Sequence, residues 1–140
     1  ADAIAAAGIA VCLTINLNAT RRGPEAMDRF ARRLGGLLDR GVRIIAGADA
    51  GINNAPHREY IAGLAAMVEL GMADREVLLA ATIRAAQALG VDAVTGSLEA
   101  GKEADLIAVE GDPAVDIAAL GRLSLVVARG VEYTPEFAAG

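Results

Sequence analysis

Val42-Arg43-Ile44-Ile45-Ala46-Gly47-Ala48-Asp49-Ala50-Gly51 is the stretch that decides the fold. Its opening residues, Val42–Ala46, are mostly apolar and β-branched, and they predict a strand. Directly after them a carboxylate stands between two glycines, which let the backbone turn sharply and stay close to whatever lies there. Working outward, Ile9-Ala10-Val11-Cys12-Leu13-Thr14-Ile15 predicts a second strand of the same buried type. Between the two, Pro24 suits a first helical position. Met27, Phe30, Ala31, Leu34, Leu37 and Leu38 follow at helical spacing, and Gly41 closes the helix.

Downstream of Pro56, the stripe Tyr60, Ile61, Leu64, Ala65 and Val68 predicts a helix that Gly71 stops. A further helix is expected from Asp74 to Leu89, with Val77, Leu78, Ala81, Ala85 and Leu89 inward and Gly90 as its stop. Strand, helix, strand, helix, helix implies an α/β fold with a parallel sheet. Two strands cannot complete such a sheet, so a larger whole or several copies are expected to finish it. After Thr95 the character changes. Asp105–Val109 and Leu123–Ala128 predict strands, and Arg129-Gly130 predicts a turn into Val131-Glu132-Tyr133. The expected division is 1–94 and 95–140.

The bulk properties bound the function. The 140 residues are 54% hydrophobic and 22% charged, a globular composition. The formal net charge is −5 and aromatics make up 3%. Arg21, Arg22, Arg29, Arg32, Arg33 and Arg40 are interleaved with Glu25, Asp28 and Asp39, which predicts a solvated helix face and no nucleic-acid surface. No apolar run reaches membrane length and no signal-peptide pattern is visible. Cys12, alone, reads as a core cysteine rather than a nucleophile, in keeping with a cytoplasmic setting. The opening Ala1–Gly8 reads as the last turns of a helix, so a piece of something longer is expected.

Asp49 carries the chemistry. Sites in parallel α/β folds gather at the carboxyl ends of strands. A carboxylate there can ligate a metal, act as a general base, accept a phosphoryl group, or simply cap the next turn. His57, the one histidine, lies near the start of the following helix; it faces the same mouth or sits on the surface. One histidine cannot build a zinc site, which needs three or four protein ligands.

Several pieces taken together resemble the amidohydrolase superfamily, in its imidazolonepropionase-like and dipeptidase-like branch. They are Gly47-Ala48-Asp49-Ala50-Gly51, Pro56-His57, the helix from Leu64 to Met72, the run Ala80-Ala81-Thr82-Ile83-Arg84-Ala85-Ala86-Gln87-Ala88-Leu89-Gly90, and Gly96-Ser97-Leu98-Glu99-Ala100-Gly101-Lys102-Glu103-Ala104-Asp105-Leu106. The resemblance covers nearly the whole chain. It implies the C-terminal part of a TIM (β/α)8 barrel, its last two strands and helices, followed by part of a small β-sandwich that the parent's N-terminal segment completes. It implies that Asp49 ligates metal and takes a proton from the hydrolytic water. It further implies one or two divalent ions, zinc above others, and hydrolysis of a non-protein C–N bond in an amide, cyclic amide or dipeptide. Asn16, Asn18 and His57 would then lie at the rim near a small-molecule substrate.

There are departures. The family's His-x-His pair, bridging lysine and two later histidines have no counterpart here, and the expected threonine before the aspartate is Ala48. The chain alone is therefore expected to be inactive, with the N-terminal remainder of the parent or a second copy as its partner. The alternative is a self-contained α/β domain that binds a ligand or partner without catalysis. An Asp-based phosphoacceptor ranks last, because the first strand ends in Thr14, Asn16 and Asn18 rather than in further acids.

Overall fold

The computed structural model describes residues 1–15, 21–52 and 55–134. A short helix α1 (Asp2–Ala6) leads into strand β1 (Val11–Thr14). Helix α2 (Pro24–Leu38) then crosses to strand β2 (Ile44–Gly47), which pairs with β1 in parallel, Val11 opposite Ile44 and Thr14 opposite Gly47. This is the strand–helix–strand unit that the sequence predicts. A 3-10 turn (His57–Glu59) opens helix α3 (Tyr60–Glu69), and α4 (Asp74–Ala81) and α5 (Ile83–Leu89) follow. A second 3-10 segment (Ile117–Gly121) separates β3 (Leu106–Val109) from β4 (Leu123–Ala128) and β5 (Val131–Tyr133), which form an antiparallel sheet in the order β3-β4-β5.

The helices cover one face of the parallel pair. Ile15 and Ile44 are buried there with Leu34, Leu64, Met67 and Val77, and Val11 and Leu13 pack against them. This corrects the expectation of strands covered on both faces. Exposure alternates along β1, so Cys12 and Thr14 lie open on the other side. Cys12 is thus an exposed free thiol and not a core residue. The same apolar cluster takes in Ile117 and Leu120, so one core runs beneath both sheets.

The predicted helix from Asp74 to Leu89 is two helices. Thr82 breaks it, with φ −126° and ψ −107°. Its hydroxyl donates to the Leu78 carbonyl at 2.7 Å, the back-bonding that lets Ser and Thr bend helices. Gly96 presses on the start of α5, where a Cβ would lie 2.5 Å from that of Ala86. Leu89, expected inward, is 73% exposed on the last turn of α5. Gly90 ends that helix in the left-handed conformation, as its sequence position predicts.

The β4–β5 turn is also as predicted. Arg129 and Gly130 both have positive φ, the two-residue hairpin geometry that matches strand twist. The Asp105 carboxylate holds the hairpin in place, accepting from the Arg129 N–H at 2.8 Å and the Thr95 hydroxyl at 2.9 Å. Among the described residues no helix is long and apolar enough to cross a membrane.

Candidate functional site at the carboxyl ends of the parallel strands

Because Thr14 and Gly47 are register partners, the chain leaves β1 and β2 side by side at one end of the sheet. The close approach is made by small residues. A Cβ on Gly47 would lie 2.6 Å from Cys12 Sγ. A Cβ on Gly63, in α3, would lie 2.3 Å from the Ile15 carbonyl oxygen, so α3 docks its backbone directly against the end of β1.

Asp49 leaves β2 in the left-handed region, φ 52°. A non-glycine residue there carries strain on the order of 1 kcal/mol, which Asp tolerates better than most. The side chain is exposed, and its carboxylate has no hydrogen-bond or ion-pair partner among the described residues. Among the described residues no hydrogen bond supports the turn-capping alternative. Toward the described residues this carboxylate keeps its lone pairs open, and an ionised carboxylate there can accept a proton, a metal or a ligand.

Beyond Asp49 the loop is pinned by its own backbone. Gly51 N–H donates to the Ala55 carbonyl at 3.0 Å, and Ala55 N–H to the Ile52 carbonyl at 3.2 Å. His57 is exposed, and its carbonyl accepts the Tyr60 N–H. Asp49 and His57 thus share the β2–α3 loop, with no bond between them. Asn16, like Asn18, lies outside the described residues. Tyr60 begins α3; burial raises its phenol above the ordinary range, and electrostatic interaction with Cys12 adds to the shift.

The same loop forms a concavity of about 510 Å³, lined by Arg21, Gly51, Ile52, Ala55, Pro56, Arg58 and Glu59. The sequence reading sets Arg21 on a solvated helix face and does not take up Arg58 or Glu59, since nothing local links Arg21 to residues so remote in the chain. Among the described residues no three His, Cys, Asp or Glu side chains are grouped closely enough to hold a metal ion. Asp49 suits one position of such a set, and the rest would have to come from outside those residues.

Residues 3–133 match the family model described as Amidohydrolase family. The chain is 38% identical over 101 residues to the imidazolonepropionase of Symbiobacterium thermophilum, covering 71% of this chain and 22% of that protein. Among solved structures it is similar to a Xaa-Pro dipeptidase with methionine bound in the active site, at TM-score 0.68 and 35% identity over 80% of this chain and 26% of that one. It is also similar to an amidohydrolase from Thermotoga maritima, at TM-score 0.71 and 26% identity over 96% of this chain and 34% of that one. The chain spans about a fifth to a quarter of the curated relatives it matches. A family match along nearly all of its residues, with the glycine-flanked Asp49 inside it, places the chain in the amidohydrolase family, on its imidazolonepropionase- and dipeptidase-like branch.

Proposed function

We propose that this chain is the part of a metal-dependent hydrolase that carries the metal-ligating aspartate at the end of its last barrel strand, and that the intact enzyme cleaves a non-protein C–N bond in an amide, cyclic amide or dipeptide. The observation that carries the proposal is the exposed carboxylate of Asp49, without a partner among the described residues and held in a left-handed backbone conformation at the end of β2. Strain of this kind clusters at functional sites. Support comes from the activities of the relatives, an imidazolonepropionase and a Xaa-Pro dipeptidase.

On this proposal residues 1–94 are the last two strands and helices of a (β/α)8 barrel, and residues 95–140 are part of a small β-sandwich. The remaining strands would come from the rest of the parent chain or from a second copy, covering the open face that bears Cys12 and Thr14. The unpaired cysteine is in keeping with a cytoplasmic protein.

Superfamily members generally use divalent metal ions, here zinc above others, and one or two such ions supply a water acidic enough to ionise near neutral pH. Asp49 would offer one ligand oxygen and accept the proton of the attacking water with the other. It would then return that proton to the leaving nitrogen, which departs readily only once protonated. His57 and Asn16 would lie at the rim, toward substrate.

The test is to purify the protein from its complete reading frame, strip its metal, and add back zinc, cobalt or manganese. Dipeptides and N-acylated amino acids are then assayed beside the 140-residue chain alone. Metal-restored turnover is expected from the complete protein, with none from the short chain. Turnover by the short chain, or none by the metal-restored protein, overturns the proposal.

A further inference from the structure

Thr14 opposite Gly47 is the last register pair of the parallel strands, and Asp49 follows two residues later. Its carboxylate has no hydrogen-bond or ion-pair partner among the described residues to hold it. Where it stands is therefore set by the backbone, from the last point at which β1 still fixes β2. Gly47 is that point, and without a Cβ it has the widest conformational freedom of any residue. What confines it comes from β1. A Cβ on Gly47 would lie 2.6 Å from Cys12 Sγ and 3.5 Å from Thr14 Cγ2. The second is ordinary contact, and the first falls short of it by roughly 1 Å. Cys12 thus fills, from the neighbouring strand, the space that a side chain on Gly47 would take. Cys12 is exposed, on the side of the pair that the helices leave open, so this contact is not a by-product of core packing.

We propose that Cys12 is a positioning residue for Asp49, and that the pair Cys12 and Gly47 sets where the carboxylate stands through size alone, with no thiol chemistry. The role rests on the hydrolase reading of Asp49. Proton transfer needs near-contact geometry, and a misplacement of about 1 Å can cost on the order of 10²-fold in rate. The group between the strands can come from position 12 or from position 47, but not from both. Crowding that space pushes the end of β2 outward, and emptying it lets Gly47 wander. Either change moves Asp49.

The experiment is steady-state kinetics on the complete, metal-restored protein, with the visible absorption of the cobalt-loaded protein and a melting curve recorded beside it. Gly47→Ala, which crowds the space, should lower kcat about tenfold with KM nearly unmoved. Cys12→Ala, which empties it and deletes only an exposed side chain, should lower kcat by a smaller factor. The two together should restore most of the rate, a reciprocal rescue that general weakening of the fold does not produce. The cobalt absorption, which follows the geometry of the ligands, should shift in each single variant and return in the double. With Asp49→Asn already present, neither change should cost much more, because all act through one carboxylate. Single variants that leave kcat and the absorption unmoved, a double variant no better than Gly47→Ala, or equal losses with and without Asp49→Asn overturn the positioning role. The hydrolase reading fails separately: no turnover by the unsubstituted, metal-restored protein sinks that reading and the role with it, whereas turnover without the reciprocal rescue removes the role alone.

Discussion

The carboxylate of Asp74, in the first turn of α4, accepts the backbone N–H of Ile117 at 2.8 Å, joining residues 43 positions apart. Asp74 makes no capping bond to its own helix. It serves the 3-10 segment instead, at a point where Ile117 is 3% exposed and belongs to the shared core. The bond therefore fastens the antiparallel sheet's connection to the helix layer.

Asp74→Ala should destabilise the protein by about 1–3 kcal/mol, the cost of leaving a part-buried N–H unmet. Asp74→Asn should lose less, because its amide oxygen still accepts. Urea unfolding of the three proteins checks this; an unchanged midpoint in Asp74→Ala means that the bond contributes nothing.

The two close-packed glycines should respond differently. Alanine in a helix gains up to about 1 kcal/mol over glycine, but at Gly63 its Cβ would meet the Ile15 carbonyl, which is backbone and cannot rotate away. Gly63→Ala should therefore be destabilising by roughly 1–3 kcal/mol, the range for overpacking. At Gly47 the obstacle is the exposed Cys12 side chain. Gly47→Ala should cost less, and adding Cys12→Ala should recover most of the loss. Thermal melts of the three variants decide, and equal melting temperatures for Gly63→Ala and Gly47→Ala would contradict the packing argument.

Asp49→Asn in the complete enzyme should keep the fold and lose activity by roughly 10²-fold or more, as when a general base is removed. The exposed side chain has no partner among the described residues to lose, and the amide matches it in shape but accepts a proton poorly. The check is kcat beside an unfolding curve. A variant with near-normal turnover would make Asp49 dispensable to the chemistry.

Acid should loosen the hairpin anchor. The Arg129 N–H, and then the Thr95 hydroxyl, lower the Asp105 pKa below the ordinary aspartate range. A folded pKa below the unfolded one means that the unfolded chain binds more protons in the interval between them, so stability rises with pH there. The contribution is fully present above the unfolded value, about 3.9, and is lost as pH falls through the folded one. Asp105→Asn should flatten that part of the acid-stability curve. An unaltered slope below about pH 4 would show that Asp105 adds nothing to it.

Much of the fold was legible because it is dictated by residues close together in the chain. The apolar runs around Leu13 and around Ile44, with the helical stripe between them, leave a parallel pair as the way to bury both elements. Leu13 and Val11 supply the inward face of β1. Gly90 and the Arg129-Gly130 pair end or turn their elements through backbone conformations that glycine adopts cheaply. Asp49 could be singled out for the same reason, since a carboxylate between Gly47 and Gly51 after a buried-type strand is a local pattern.

What the tertiary structure alone decided lies between residues far apart in sequence. The helices cover only one face of the β1–β2 pair, so Cys12 is open to solvent although its neighbours are as apolar as a core strand's. Gly96 packs against α5 where Thr82 divides the predicted long helix, and neither effect shows in the helical periodicity of residues 74–89. Arg21, Arg58 and Glu59 line one hollow only because β1 and β2 are parallel and release their loops at the same end. Periodicity and turn chemistry are set by neighbours within a few residues, whereas the burial of a side chain depends on which distant segment packs against it.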